Sequence, residues 1–364
     1  MDHPRRLKTL QRALTSTKAD ALLITHLPNV RYLSGFSGSA GALVITQRSA
    51  AFFSDGRYGA QARAEVRGAR VVIAKKPPLV AAAEWLTRKP VRARQKPQTL
   101  GVEAEHFAVA ERSRLAGLLG AKFRITEAPG LLEQQRMVKD EDEIKVIRKA
   151  VLMGAALFDT ALAHIRPGVA ESEVAAEMEY AARKAGADGM SFETIIAAGG
   201  RSALPHGRAS LARIPRAGFV VCDFGVILAG YCSDMTRTVY VGHPSREAAG
   251  FYQAVRDAQQ AALEAVRPGV TAGEVDHAAR NVLKKSGVGR YFTHSTGHGV
   301  GLEIHEAPRV ASGQREVLRP GMVITIEPGA YVPGKWGVRI EDMVVVTEGG
   351  CEVLTPTSKE LISI

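Results

Sequence analysis

A ten-residue segment of this chain has a near copy further on, with six of its ten positions identical. Ile165-Arg166-Pro167-Gly168-Val169-Ala170-Glu171-Ser172-Glu173-Val174 returns as Val266-Arg267-Pro268-Gly269-Val270-Thr271-Ala272-Gly273-Glu274-Val275, a step from 165 to 266, or 101 positions. Repetition on this scale constrains a fold more than propensity does, because copies of one supersecondary unit bury their apolar faces against each other. A second recurrence falls at nearly the same step. Phe219-Val220-Val221-Cys222-Asp223-Phe224-Gly225 and Met322-Val323-Ile324-Thr325-Ile326-Glu327-Pro328-Gly329 each carry an apolar strand into a carboxylate and then a glycine, and from 223 to 327 the step is 104. Residues 131–364 are therefore expected to form an α+β domain, a duplicated unit of helix, Arg-Pro-Gly turn, helix and hairpin folded about a pseudo-twofold axis.

Both hairpins offer carboxylates from both strands. Gly225 and Gly230 close a loop before Ser233-Asp234-Met235-Thr236-Arg237-Thr238-Val239, which is expected to set Asp223 and Asp234 side by side, since cross-strand neighbours stand about 5 Å apart. In the same way Gly337-Val338-Arg339-Ile340-Glu341-Asp342-Met343-Val344 returns Glu341 opposite Glu327, and alternation puts Arg339 on the face of Glu341. With His298, in Thr296-Gly297-His298-Gly299, these four carboxylates make the ligand set of a carboxylate-bridged two-metal site. One acidic residue at a strand end is usually a cap or a solvated edge. Four inward carboxylates and a glycine-flanked imidazole have no shared structural need, and buried charge demands compensation. Such oxygen and imidazole donors suit Mn, Co or Zn rather than thiophilic metals, and the chemistry to expect is metal-assisted hydrolysis. His298 and His305 stand seven apart in GHGVGLEIHE, which fits two helical turns or a strand and loop equally, and the HExxH spacing of mononuclear zincins is absent.

Length and composition set the frame. A chain of 364 residues, 46% hydrophobic and 23% charged, points to two globular domains that need no staples. Cys222, Cys232 and Cys351 form no CxxC pair and cannot all pair with one another, which fits a reducing cytoplasm, and Cys222 alternates away from Asp223 as core filler. No run approaches the roughly 18 apolar residues of a membrane span, and the basic start leads into no signal-peptide hydrophobic region. The net charge of +11 is uneven: residues 1–130 hold 22 Lys and Arg against 9 Asp and Glu, leaving 26 against 28 for the rest. Those N-terminal cations (Arg63, Arg67, Arg70, Lys75, Lys76, Arg88, Lys89, Arg92, Arg94, Lys96) are dispersed, without aromatic-studded RNA motifs or a DNA-reading helix. That disfavours nucleic acid and favours a solvated face or attraction of an acidic partner. The chain has no GxxxxGK[ST], no strand-borne GxGxxG and no GxSxG elbow; Gly35 to Gly41 reads as a turn into a strand.

Residues 1–130 read as a separate α/β domain. Apolar runs at 21–24, 40–46, 50–54, 70–74, 99–103 and 122–126 are expected as strands, and 57–66, 79–88 and 107–119 as helices. The proline- and cation-rich segment 89–98 is expected as a surface connection. Near Pro129-Gly130 the pattern changes, and Asp140 to Glu143 opens a long amphipathic helix whose acidic first turn suits the helix dipole.

The ligand order Asp223, Asp234, His298, Glu327, Glu341 resembles that of the pita-bread dinuclear metallopeptidases, which include methionine aminopeptidase, aminopeptidase P and prolidase. The resemblance spans roughly residues 135–350. Tyr32-Leu33-Ser34-Gly35-Phe36 and Phe53-Ser54-Asp55-Gly56-Arg57-Tyr58 are similar to the creatinase-like N-terminal domain of the Xaa-Pro branch, which methionine aminopeptidases generally lack. The resemblance implies two divalent ions per chain, Mn by expectation with Co or Zn as alternatives, and a homodimer. It implies hydrolysis of the bond between a first residue and a following proline by a hydroxide bridging the ions, with Glu327 moving the proton. His206 resembles the family histidine that shuttles a proton or holds substrate, and His305 the one that meets the substrate carbonyl. His294 resembles the histidine lining the proline pocket, and Arg339 the arginine beside the bridging glutamate. An Xaa-Pro aminopeptidase acting on proline-containing peptides is the expected function, with an Xaa-Pro dipeptidase (prolidase) as the alternative. Methionine aminopeptidase stands further off, as does a non-enzymatic basic binding module; creatinase and histone-chaperone domains share the fold, and the chaperones lack the full ligand set that is present here.

Overall fold

Short β-branched and aromatic runs in the N-terminal part form one mixed sheet. The computed structural model describes residues 1–88, 97–128 and 130–364, which divide into two units, Met1–Arg136 and Met137–Ile364. The N-terminal sheet uses β1 (Ala21–Ile24), β2 (Ala42–Thr46), β3 (Ala50–Asp55), β4 (Arg70–Ala74), β5 (Gln98–Val102) and β6 (Phe123–Glu127), in the order β4-β3-β2-β1-β5-β6. Pairs β1–β5, β5–β6 and β3–β4 are parallel and β1–β2 and β2–β3 antiparallel. The helices of this unit are α1 (His3–Ser16), α2 (Leu27–Ser34), α3 (Gly59–Glu65), α4 (Pro78–Arg88) and α5 (Val109–Leu119), followed by α6 (Leu131–Met137). The α/β reading of this part holds. Three helices escaped it: α1, which buries Leu7, Leu10 and Leu14 at helical spacing, α2, which stops at Gly35 with φ 84, and α6. Residues 89–96 and Pro129 lie outside the described residues, so of the expected connection 89–98 only its end is seen: Gln98 is a buried first residue of β5.

The second unit shows the duplication. Its first half has α7 (Glu141–His164) and α8 (Glu171–Lys184), then β7 (Gly189–Met190), β8 (Ile195–Ala198), β9 (Gly218–Phe224), β10 (Val226–Leu228), β11 (Tyr231–Cys232) and β12 (Met235–Val241). Its second half has α9 (Arg246–Ala265) and α10 (Ala272–Lys285), then β13 (Gly297–Gly299), β14 (Glu306–Val310), β15 (Val323–Ile326), β16 (Gly329–Val332), β17 (Trp336–Arg339), β18 (Asp342–Val346) and β19 (Cys351–Val353). One core packs α7 and α8 on Val220, Cys222, Phe224 and Val239; the other packs α9 and α10 on Ile324, Ile326, Val344 and Val346. Cys222 sits in the first of these cores and is a free thiol, as alternation required. The opening of α7 is a capping box: Asp140 Oδ1 accepts from Glu143 N at 2.9 Å, and Glu143 Oε2 accepts from Asp140 N at 2.9 Å.

The two Arg-Pro-Gly turns are bonded alike. Gly168 N donates to Ile214 O and Gly269 N to Leu318 O, while Ala170 bridges Arg213 and Thr271 bridges Val317. Their first members are 101 apart (168 to 269) and their partners 104 apart (214 to 318), so the copies differ by three residues inserted between the second helix and the returning strand. The same insertion explains why Asp223 and Glu327 are 104 apart. Gly168 and Gly269 both have φ +87, and a Cβ at either position would meet nothing within 4 Å. The cost of a side chain there is therefore conformational and should match in the two copies. Gly168→Ala and Gly269→Ala should each destabilise by about 1–2 kcal/mol; urea unfolding of the two variants checks this, and a large inequality would contradict equivalent turns.

Candidate active site

The residues with ligand chemistry are delivered by strand ends. β9 and β12 pair antiparallel with Asp223 opposite Thr236 and Phe224 opposite Met235, so Asp234 lies diagonal to Asp223 on the same face rather than beside it. The reason is the small β10–β11 hairpin between them, which turns at Ala229 and Gly230 and lengthens the connection. Thr236, the true neighbour, donates from Oγ1 to Glu341 Oε2 at 2.7 Å. In the second half, β15 and β18 pair Val323 with Val345 and Ile326 with Asp342, and β16 and β17 pair Gly329 with Arg339. Both ladders follow one register, which sets Glu327 opposite Glu341 at the break between them. The GHGVGLEIHE segment is a strand, a loop and a second strand. The flanks of His298 must be glycine, because a Cβ on Gly297 would lie 1.9 Å from Thr325 O and one on Gly299 2.2 Å from Ala307 O.

All nine residues singled out in the sequence (Asp223, Asp234, His298, Glu327, Glu341, His206, His305, His294 and Arg339) line one cavity of about 680 Å³. Asp234, His298 and Glu341 bring one ligand atom each within 4.8 Å of one another. His298 Nε2 lies 3.7 Å from Asp234 Oδ2 and 3.4 Å from Glu327 Oε1. Its Nδ1 faces Gly299 O at 3.0 Å; a carbonyl only accepts, so Nδ1 carries the proton and Nε2 presents its lone pair to the cavity. Thr325 Oγ1 lies 3.4 Å from Glu327 Oε1 and accepts from His298 N at 3.0 Å, tying the two side chains to one strand.

Arg339 is a buried hub. It pairs with Asp223 Oδ2 and donates to Tyr331 Oη at 2.6 Å, Pro205 O at 3.0 Å and Thr236 Oγ1 at 3.1 Å. Its direct ion-pair partner is Asp223, while Glu341, on whose face alternation puts it, feels the same charge and shares Thr236 Oγ1 with it. Tyr331, which the sequence did not single out, also meets His294 Nε2 at 3.0 Å and so joins His294 to Arg339. Nothing in its spacing marks it; only the hairpin register brings it under Arg339. His305 packs edge-on to His298 with centroids 4.4 Å apart, and His206 sits exposed in the turn after Pro205.

Electrostatics mark the cluster as incomplete without a cation. Burial, then the neighbouring carboxylates, pushes Asp234 and Glu341 well above the usual carboxylate range, and burial raises Glu327 to about 7 despite Arg339. Burial lowers His298 and His294 to about 4 each, so both are neutral imidazoles at pH 7. Asp223 Oδ1 and Asp234 Oδ1 are buried oxygens with no hydrogen-bond partner. Unsatisfied buried carboxylate oxygens converging with an imidazole lone pair are what a divalent ion requires.

The family comparisons agree with this donor set. Residues 145–348 match metallopeptidase family M24, and residues 6–138 match the creatinase/prolidase N-terminal domain. The chain belongs to metallopeptidase family M24. Its relatives there include an Xaa-Pro dipeptidase of Pyrococcus horikoshii, 39% identical over 98% of each chain. Among solved structures, an Xaa-Pro dipeptidase of Bacillus anthracis superposes with TM-score 0.92 at 39% identity over 100% of this chain and 99% of its own. An X-Pro aminopeptidase of Thermotoga maritima does so with TM-score 0.88 at 35% identity over 97% and 100%. This M24 chain is accordingly a metal-dependent peptidase with the pita-bread fold.

One consequence concerns pH. With Glu327 raised from 4.5 to about 7, the ion-free folded protein binds more protons than the unfolded chain between those values, so its stability falls as pH rises through that window. A bound cation favours the ionised carboxylates and should remove that fall. Thermal midpoints at pH 5 and 7.5, in chelator and with added Mn or Co, should therefore diverge toward the higher pH; parallel pH dependences would count against a cation at this cluster.

Proposed function

We propose that this chain is an Xaa-Pro dipeptidase, hydrolysing the bond between a first residue and a C-terminal proline with two divalent ions held by Asp223, Asp234, His298, Glu327 and Glu341. The observation that carries this reading is the convergence of those five donors, two with orphaned buried oxygens, in the cavity that also holds His206, His294, His305 and Arg339. The sequence alone put the aminopeptidase first. The dipeptidase now takes precedence because relatives from Pyrococcus horikoshii, Pyrococcus furiosus and Bacillus anthracis bear that name at 38–39% identity. Asp234 and Glu341 would hold both ions, with Asp223 helping to hold one and His298 with Glu327 the other. Mn is the expected metal, and the hard, oxygen-rich donor set supports it over thiophilic metals. A homodimer follows from the family resemblance. Three free cysteines support a cytoplasmic location, and among the described residues no helix is long and apolar enough to cross a membrane.

When bound, the ions would acidify water from a pKa near 16 toward neutrality and polarise the scissile carbonyl. The side chains do the rest. Glu327, whose carboxylate faces the same cavity, is placed to accept the proton of the attacking water and to return it to the leaving proline nitrogen. His305 and His206 line the same cavity, where an imidazole N–H can donate to the oxyanion as it forms. His294, Tyr331 and Arg339 make a hydrogen-bonded wall suited to a ring. An amide preceding proline has no N–H to satisfy, so a wall without an acceptor aimed at that position accepts it without loss.

Glu327→Gln should lower kcat by at least about 100-fold while retaining most bound metal by elemental analysis, and a wild-type rate would remove its role. Asp234→Asn should lose metal stoichiometry as well as activity. Comparing Ala-Pro with Ala-Pro-Ala separates the two exopeptidase readings: the dipeptidase cleaves the first with strong preference, and equal turnover of the tripeptide would restore the aminopeptidase.

A further inference from the structure

The duplicated turns share a backbone frame but differ at a buried position. In the first copy Glu171 N donates to Ala212 O at 3.0 Å and Ser172 N to Ser210 O at 2.9 Å; in the second Ala272 N donates to Glu316 O at 2.9 Å and Gly273 N to Gln314 O at 3.1 Å. Donors are again 101 apart and acceptors 104 apart. Glu171 is wholly buried, and the residue in its place in the second copy is Ala272, also wholly buried. The turn and the start of the helix after it therefore form without a carboxylate at this position.

What the Glu171 carboxylate holds is a loop. Its Oε1 accepts from the N–H of Ala198, the last residue of β8, at 2.8 Å, and its Oε2 accepts from Ser210 N at 3.2 Å and Ser210 Oγ at 2.8 Å. Both ends of residues 199–209 are thus tied to one side chain. Arg201 Nε donates to the two oxygens at 3.1 and 3.0 Å, and its Nη2 crosses the loop to Arg208 O at 2.9 Å. A buried carboxylate is unfavourable unless donors surround it, and these donors all come from the loop or its two ends.

His206 lies inside this frame. Its carbonyl accepts from Arg208 N at 2.9 Å, and the carbonyl of the preceding Pro205 accepts from Arg339 Nη1 at 3.0 Å. The backbone of His206 is therefore held from the cavity side by Arg339 and from the opposite end by Glu171 acting through Arg201. His206 lines the cavity yet is exposed to solvent, so the direction of its ring depends on that backbone more than on packing.

We propose that Glu171 is a positioning residue for His206: its carboxylate, with Arg201 as a second arm, fixes the 199–209 loop so that the imidazole meets the bound peptide bond. This rests on the Xaa-Pro reading, in which His206 donates to the oxyanion.

The test is a pair of double-mutant cycles read as kcat and KM for Ala-Pro, with metal-loaded wild type, Glu171→Gln, Arg201→Ala, His206→Ala and the two double variants that carry His206→Ala. Glu171→Gln leaves mismatched donors at a buried site, so Arg201→Ala, at a partly exposed position, decides alone if the first variant does not fold. Each single substitution should lower kcat by about tenfold to thirtyfold with little change in KM, and metal content by elemental analysis should match the wild type. In the His206→Ala background either substitution should cost less than about a further twofold, because the group it positions is gone. Trypsin should also cut the native chain after Arg208 faster in both variants than in the wild type. Losses that multiply in full in the double variants overturn the proposal, since the clamp would then serve the scaffold and not His206. Wild-type kcat in the single variants, or an unchanged rate of cleavage after Arg208, overturns it as well. Failure of the wild type to turn over Ala-Pro removes the Xaa-Pro reading and this inference with it, whereas wild-type turnover with multiplicative losses removes the inference alone.

Discussion

Repulsion among four carboxylates is the constraint around which the C-terminal unit is arranged. Asp223, Asp234, Glu327 and Glu341 share one cavity, three of them almost fully buried, and the guanidinium of Arg339 is the cation that reaches them directly. Four negative charges against one positive cannot remain ionised in such surroundings, which is why burial and mutual repulsion raise three of the carboxyls. Protonation relieves the charge at the expense of the chemistry, while two divalent cations would reverse its sign. The positive balance then left is what a polarised carbonyl and a developing oxyanion need.

Holding like charges together requires a scaffold whose stability comes from elsewhere. The duplication supplies it: each copy has its own core, from α7 and α8 in one half and α9 and α10 in the other, and each delivers carboxylates only at the ends of its strands. The link between the halves is polar and specific. Thr236 of the first copy donates to Glu341 of the second, and Arg237 of the first pairs with Asp342 of the second while donating to the carbonyl of Glu341. A buried Arg–Asp pair contributes little to stability compared with apolar residues of the same volume. It does fix the register between the halves, and that register decides whether ligands from both meet.

Much of this was legible because it is periodic. The recurrence at 101 exposed the duplicated turns, and the apolar runs ending in Asp223 and Glu327 exposed the strands that carry ligands. What escaped depends on connections. The placement of Asp223 beside Asp234 was one step off because the β10–β11 hairpin is too short and irregular to read by alternation. Arg339 was placed near Glu341, where it does lie, but its direct ion pair with Asp223 comes from a strand more than a hundred residues away and has no local mark. Tyr331 and Thr236, one between His294 and Arg339 and the other on Glu341, carry no local mark because their importance comes wholly from partners distant in sequence. The N-terminal strands were readable from composition, whereas α1 went unread because only Leu7, Leu10 and Leu14 interrupt its charged surface.

The neutral imidazoles close the electrostatic argument. Had His294 and His298 been protonated, they would have offset the carboxylates themselves and competed with any cation for the same oxygens. Burial instead keeps both uncharged, and in His298 the bond from Nδ1 to Gly299 O commits the other nitrogen to the cavity. Gly297 and Gly299 let the strand that carries His298 close on Thr325 and Ala307. The glycines that looked like turn residues in the sequence are therefore part of the electrostatics. They allow the backbone approach that places His298 at the cluster, and the Gly299 carbonyl beside it fixes the tautomer that makes His298 a donor of electrons rather than of protons.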